Sequence, residues 1–385
     1  MSYPRVHPAV LLSPVEDGYV AYDPVADRLH QLNPVAALLT ELCDGTRSVD
    51  DVTAMAEPFL PPGEGAAVAK WVAQATEAGL LTTETGGAAA AEISPAELLA
   101  LSKRLRQRNN SQTAYICVKR VVELEPQNTD AWYDLGDITH YLGRRDEARH
   151  AYQVYFDANP NDGEVEHLLI ALKDGPPPER ASDRAIQHIY KNFAASYESL
   201  MLDELKYAGP PRMMELVESV IGDRAGMTML DLGCGSGLTG LTFRPRAAHL
   251  TGVDLSPEMV ELARARGLYD ELEVGEVTQW LKDGDSLFDM VVSTDVIIYF
   301  GDLDGIVAGV ARRLKPGGIF AFSTELGTRP PFHLTDTGRY NHHPDHVRAV
   351  AAKQGFEVAG MNEAFLRTEY GEPVMGLFTV LTKKA

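Results

Sequence analysis

The sequence predicts a multidomain α/β protein, in which a winged-helix-like α+β module, an all-α repeat and a doubly wound, mostly parallel sheet follow one another. Three observations predict it. At 385 residues the chain exceeds what one hydrophobic core usually organises. Two composition breaks, "TETGGAAAAEIS" (83–94) and the proline-rich "DGPPPERAS" (174–182), read as linkers. From Thr228 onward, short β-branched runs alternate with helical patterns, as in a sheet covered by helices on both faces. The expected domains are therefore 1–82, 95–172 and 183–385.

Composition narrows the function. The apolar fraction of 45% is that of a folded chain, and no apolar run approaches the ~20 residues of a membrane span. The start "MSYPRVHPAV" lacks a basic-plus-apolar signal pattern, so a cytoplasmic protein without membrane attachment is expected. Cys43, Cys117 and Cys234 are odd in number and far apart, which suggests neither disulfides nor zinc. A formal charge of −20 excludes an ordinary nucleic-acid binder, which needs a basic stripe.

In the first segment "VLLSP", "GYVAYD" and "RLHQL" read as strands, the last two around a turn with Pro24 and Asp27. Helices are expected at 34–43, 48–55 and 66–78, with "GLL" after the last. Pro34 opens the first and Gly45 follows its end. The middle segment repeats itself after ~34 residues, the tetratricopeptide period. Trp132, Leu135, Gly136, Ala148, Tyr152 and Pro160 correspond to Leu98, Leu101, Ser102, Ala114, Val118 and Pro126. Small alanines let paired helices approach, prolines stop them, and a helix at 164–172 is expected to cap the stack.

The last segment reads as five successive strands, "TMLDL", "HLTGVDL", "ELEVG", "FDMVVSTD" and "GGIFAFSTE". Two more at the end form an antiparallel edge, making a Rossmann-like sheet of seven. In "MLDLGCGSGLTG", Asp231 ends a strand and Gly233, Gly235 and Gly237 turn the chain close to a ligand. Asp254 ends the next strand, placed to accept from a ribose diol, and Glu276 ends the third, near an adenine amino group. Three acids on consecutive strand ends describe adenosine without phosphates. The competing reading is the dinucleotide fingerprint formed by Gly235, Gly237 and Gly240, which the acids disfavour. His342, His343 and His346 invite a metal reading, but Pro344 interrupts them and their spacing is irregular. Cys234 reads as a small residue in a crowded turn, and Cys43 and Cys117 as core.

On these residues the last segment resembles class I S-adenosyl-L-methionine-dependent methyltransferases. From about Pro95 it is similar to those that carry tetratricopeptide repeats, through "ERASDRAIQHIYKNFAASYESLM", "LKYAGP", "GRYNHHPDHV" and "FLRTEYGEPVMGL". The resemblance implies S-adenosyl-L-methionine as cofactor, no metal, and a lid carrying Tyr190, Phe193 and Tyr197. It implies cofactor contacts from Asp231, Gly233, Gly235, Gly237, Asp254, Leu255, Glu276, Val277, Asp295 and Tyr299. Asp295, Tyr340 and His342 are the candidates for catalysis at the acceptor. Lys191, Glu198 and Leu200 depart from the family's usual residues.

Residues 7–82, through "YDPVADRLHQLNPVAALLTELCDGTRSVDDV", resemble PqqD-like leader-recognition domains of ribosomally made, modified peptides. That resemblance implies a precursor peptide as partner. The peptide would add a strand beside Arg28, Leu29, His30, Gln31 and Leu32 and pack against Val68, Trp71, Val72 and Ala75. The expectation is a peptide methyltransferase, with carboxylate O-methylation preferred because no base stands out. The alternatives are a small-molecule methyltransferase and a non-catalytic cofactor-binding adaptor; homodimerisation is left open.

Overall fold

The computed structural model describes residues 2–15, 17–23, 28–61, 63–85, 94–194 and 196–384; the side chains of Leu11, Ser13, Tyr22, Asp23, Glu84, Thr85, Asn192 and Phe193 lie outside the description. The expected turn at Pro24 and Asp27 and most of the first linker fall outside it too. The chain divides into two compact units, 1–158 and 159–385. This differs from the expected three-way division.

In the first unit β2 (Leu11–Val15), β3 (Gly18–Asp23) and β4 (Arg28–Leu32) form an antiparallel sheet in that order, leaving β4 on an edge. β1 (Ser2–Val6) pairs antiparallel with β5 (Leu81–Thr85) as a separate ribbon. Helix α1 (Pro34–Leu42) starts where the Asn33 side chain accepts from the Ala36 amide, and α2 (Val49–Ala56) where Ser48 and Asp51 form a capping box. Helix α3 (Gly65–Glu77) turns Val68, Val72 and Ala75 inward.

Two helical hairpins follow, α4 (Pro95–Gln107) with α5 (Ser111–Leu124) and α6 (Thr129–Tyr141) with α7 (Arg145–Ala158). The second hairpin starts 34 residues after the first, at Thr129 against Pro95. Gly136 faces the Tyr152 ring so closely that a Cβ would lie 2.6 Å from it. Leu38 and Leu42 of α1 and Cys117 and Val121 of α5 belong to one continuous core, so module and hairpins share one interior. Helix α8 (Gly163–Ala171) belongs to the second unit, where it packs against α9 (Asp183–Phe193) and His167 hydrogen-bonds the Gly338 carbonyl. The expectation grouped this helix with the repeats.

The second unit is built on a sheet of nine strands, where seven were expected. β6 (Met227–Leu232), β7 (Ala247–Asp254), β8 (Glu271–Val274), β9 (Phe288–Ser293) and β10 (Leu314–Leu326) are parallel, in the order β8-β7-β6-β9-β10. The two additions are three-residue strands, β11 (Phe332–Leu334) and β12 (Tyr340–His342), joined to the far end of β10. β13 (Phe356–Glu369) and β14 (Glu372–Lys383) are antiparallel, with β14 against β10.

Alternation fills both faces. Met229, Met290, Val292, Ile319 and Ala321 enter one core, and Leu230, Leu232, Val291, Phe320 and Phe322 the other. The chain leaves β6 toward β7 on one side and reaches β9 on the other, so a crevice opens at the carboxyl ends of β6 and β9.

Candidate active site

A cavity occupies that crevice. It is lined by Gly233 and Gly235 after β6, Asp254 and Leu255 after β7, and Glu276 and Val277 after β8. Thr294, Asp295, Val296, Tyr299 and Phe300 line it after β9, and the α9 region adds Arg180, Ile186, Tyr190 and Tyr197. Gly233 and Gly235 have φ of 78° and 52°, a left-handed backbone that favours glycine. A Cβ on Gly235 would meet only the Tyr197 hydroxyl, 3.8 Å away, and would otherwise fill the cavity.

The three acids behave differently. Asp254 lines the cavity and accepts the Gly235 and Ser256 amides at 2.8 and 2.9 Å; burial raises its carboxyl above the usual range. Glu276 also lines the cavity, but its carboxylate caps the helix Val277–Asp283, accepting Thr278 and Gln279 amides at 3.1 and 2.7 Å, and faces Arg180 at 3.6 Å. Asp231 does not line it. It lies fully buried beneath the glycine loop, where Oδ2 accepts from the Tyr269 hydroxyl at 2.6 Å and Oδ1 has no partner. Burial pushes it up to about 7.

Gly237 and Gly240 do not line the cavity either. A Cβ on Gly237 would press on Arg266, and one on Gly240 would lie 2.3 Å from the Tyr269 hydroxyl oxygen. These glycines let Arg266 and Tyr269 approach the loop. Arg266 there donates to the Ser236 carbonyl at 2.7 Å and pairs with Glu198. Among the described cavity-lining residues the one cation is Arg180, already paired with Asp183 and Glu276. The lining thus suits an adenosine without phosphates.

A second cavity shares Tyr190, Tyr197, Asp295 and Tyr299 with the first, and adds Ile189, Leu200, Met201, Leu205, Arg339 and Arg367. Asp295 is held at the junction in a left-handed conformation, φ 59°. Its amide donates to Ser323 Oγ at 3.0 Å and its Oδ1 accepts from Arg367 Nη1 at 2.8 Å. Such strain persists only when surroundings over-determine it, and it concentrates at functional sites. Arg367 is 1% exposed and pairs with Glu325 and Glu369 as well, and Glu369 also pairs with Arg339. Burial alone would raise Glu369, but Arg339 and Arg367 hold it below the usual range.

Two expected acceptor residues are elsewhere. Tyr340 is fully buried and donates to the Pro178 carbonyl at 2.8 Å; His342 is fully buried, with Nε2 3.2 Å from the Gly301 carbonyl. Both lie on the same side of β12, because residues two apart on a strand share a face, and neither lines a cavity. Arg339, one residue before them, lines the cavity instead. His342 stacks on His346, and the described residues contain no group of three potential metal ligands. The side chain of Phe193 lies outside the described residues. Sequence reasoning missed Arg180, Arg339 and Arg367, though they lie within the stretches "ERASDRAIQHIYKNFAASYESLM", "GRYNHHPDHV" and "FLRTEYGEPVMGL".

The expected peptide face is also altered. Val68, Val72 and Ala75 are core residues, at most 6% exposed, so they offer no surface; Trp71 is half-buried. Leu29 on β4 is 68% exposed.

A doubly wound sheet with acids and glycines at its carboxyl edge defines a domain that holds an adenosine-bearing cofactor. Residues 230–322 match a protein family described as "Methyltransferase domain". The second unit therefore contains a class I S-adenosyl-L-methionine-dependent methyltransferase domain. Among curated proteins, the ubiquinone biosynthesis O-methyltransferase of Xanthomonas oryzae pv. oryzae is 35% identical over 120 residues, 30% of this chain and 50% of that protein. The protein of the same name from Bordetella avium is 27% identical over 171 residues, 39% of this chain and 70% of that one. The chain spans about half the length of the first of these relatives. Among solved structures, the N-methyltransferase NodS of Bradyrhizobium japonicum aligns with 16% identity and a TM-score of 0.42, over 52% of this chain and 98% of that one.

Proposed function

We propose that the protein methylates the core of a ribosomally synthesised precursor peptide, using S-adenosyl-L-methionine. The observation that carries the transfer reaction is the pair of adjoining cavities. One is lined for adenosine, the other for an acceptor, and Asp295 and three tyrosines stand between. Gly233, Gly235, Asp254, Leu255 and Val277 would hold the nucleoside, and Tyr190, Tyr197 and Tyr299 would exclude water from the junction. When bound, the cofactor supplies an already activated methyl group, so the protein's task is alignment and exclusion of water.

The peptide reading is supported by the edge position of β4, its exposed Leu29 and the PqqD-like resemblance. The 34-residue helical hairpins are read as tetratricopeptide repeats that set spacing. Holding a leader would raise the local concentration of the core to ~mM. The core shared by α1 and α5 means that removing residues 1–82 would strip the hairpins, so a point change is the better test. The full chain, its cofactor and a leader-bearing peptide encoded beside its gene should give a product heavier by one methylene. Leu29→Asp should weaken peptide binding and leave S-adenosylhomocysteine binding intact. Absence of transfer to any such peptide refutes the reading.

The name shared by the curated relatives favours a second reading, O-methylation of a small molecule. In that case Leu29→Asp leaves turnover unchanged. An adaptor would bind cofactor and transfer nothing.

A further inference from the structure

We propose that the second cavity receives a carboxylate on an apolar body, that Arg339 holds this carboxylate, and that one of its oxygens is the atom methylated. The proposal rests on the methyltransferase reading and names its acceptor.

The first support is that the described residues lining the two cavities include no histidine, lysine or cysteine, and that each of their carboxylates is already held by a protein donor. Burial pushes the hydroxyls of Tyr190, Tyr197 and Tyr299 upward, so they stay protonated and act as donors. Asp254 is engaged by two amides, Glu276 caps a helix, and Asp295 is ion-paired to Arg367 through Oδ1, which leaves only its Oδ2 open. Glu325 and Glu369 lie behind the arginines and line neither cavity. A hydroxyl or an ammonium must lose a proton to become a nucleophile; a carboxylate arrives without one.

The second support is Arg339 itself. Its pairing with Glu369 fixes the guanidinium, and its remaining donors have no hydrogen-bond partner among the described residues. A fixed guanidinium facing a cavity is the group best shaped to take a carboxylate. Arg367 cannot substitute for it, since Asp295, Glu325 and Glu369 surround it.

The third support is the rest of the wall. Ile189, Leu200, Met201 and Leu205 present an apolar surface that a free inorganic anion would not need. In the step, the carboxylate oxygen bonds to the methyl carbon as the S–CH3 bond breaks. That electron pair stays on sulfur, which leaves as a neutral thioether. The product is a methyl ester, and no proton moves.

The test uses the full chain saturated with S-adenosylhomocysteine, titrated calorimetrically with hydrocinnamate, hydrocinnamide and phenylpropylamine. Hydrocinnamate should bind about tenfold more tightly than its amide, the effect of one charge-assisted contact. Arg339→Leu should abolish that preference, Arg339→Lys should keep part of it, and S-adenosylhomocysteine affinity should hold in both. Arg339→Leu with Glu369→Leu removes the pair without orphaning a buried carboxylate and should behave as the single variant. With labelled cofactor, the methylated hydrocinnamate should release methanol in mild alkali. No carboxylate preference, an undiminished preference in Arg339→Leu, or an alkali-stable product would overturn the proposal. Failure of the wild type to bind S-adenosylhomocysteine would instead overturn the methyltransferase reading beneath it.

Discussion

Tyr269→Phe isolates the buried carboxyl beneath the glycine loop. The hydroxyl donates at 2.6 Å to Asp231, which is fully buried and lacks a partner for its other oxygen. Burial raises Asp231 from 3.8 to about 7, against the Tyr269 hydrogen bond, which lowers it. Between these values the folded chain holds a proton that the unfolded chain has released. Stability therefore falls as pH rises through this window and levels off above 7. A hydrogen bond to a charged group is worth ~1.5–3 kcal/mol against ~0.5–1.5 for a neutral one, a difference of about 1–1.5 kcal/mol or about one pH unit, so the variant's falling limb should extend to about pH 8. At pH 5 both proteins carry a protonated Asp231, and the variant should lose only ~0.5–1.5 kcal/mol, the value of a neutral hydrogen bond. At pH 9 the loss should reach ~1.5–3 kcal/mol. Trp280 is the one tryptophan of the second unit, so urea unfolding followed by its fluorescence, in a Trp71→Phe, Trp132→Phe background, reads that unit alone. An equal loss at pH 5 and pH 9 would refute the role assigned to this hydroxyl.

Asp254→Ala removes the acceptor of two amides and the acid facing the cavity, and should weaken S-adenosylhomocysteine binding by ~100-fold, as two charge-assisted bonds imply; a calorimetric change below about threefold contradicts it. Burial holds His342 down at about 4, so below its ordinary 6.5 the unfolded chain takes a proton that the folded chain refuses, and stability falls as pH drops through that window. His342→Gln should flatten this acid limb by about 3 kcal/mol, read as the melting temperature of both proteins between pH 7 and 4.5. Gly136→Ala drives a methyl into the Tyr152 ring and should cost the first unit ~1–3 kcal/mol; an unchanged melting temperature would show that the ring yields freely.

Where the sequence was legible, the signal was local. "GYVAYD" and "RLHQL" became β3 and β4 to the residue, because alternation and flanking turns belong to the strand itself. The glycine loop and Asp254 were legible for the same reason, since a strand end announces a crevice. β1 was not: it contains Pro4, and its partner lies near residue 85, so pairing rather than pattern makes it a strand. β11 and β12 are too short to show a period. Arg339 and Arg367 were invisible for another cause. A charged residue beside a strand reads as solvent-facing, and what buries these two is a set of acids at 295, 325 and 369, gathered only by the finished sheet.

The reassignment of α3 changes how a peptide could be held. An amphipathic helix has one apolar stripe, and Val68, Val72 and Ala75 use it against the module's own core. The same side chains cannot also receive a partner. What remains on this side of the module is the outer edge of β4, with exposed Leu29, and half-buried Trp71. Recognition there would draw on main-chain hydrogen bonds, which are indifferent to peptide sequence, with few side-chain contacts to discriminate. Selectivity would then fall to the second cavity, where a fixed guanidinium and an apolar wall can reject a neutral or cationic acceptor by leaving Arg339 unpaired.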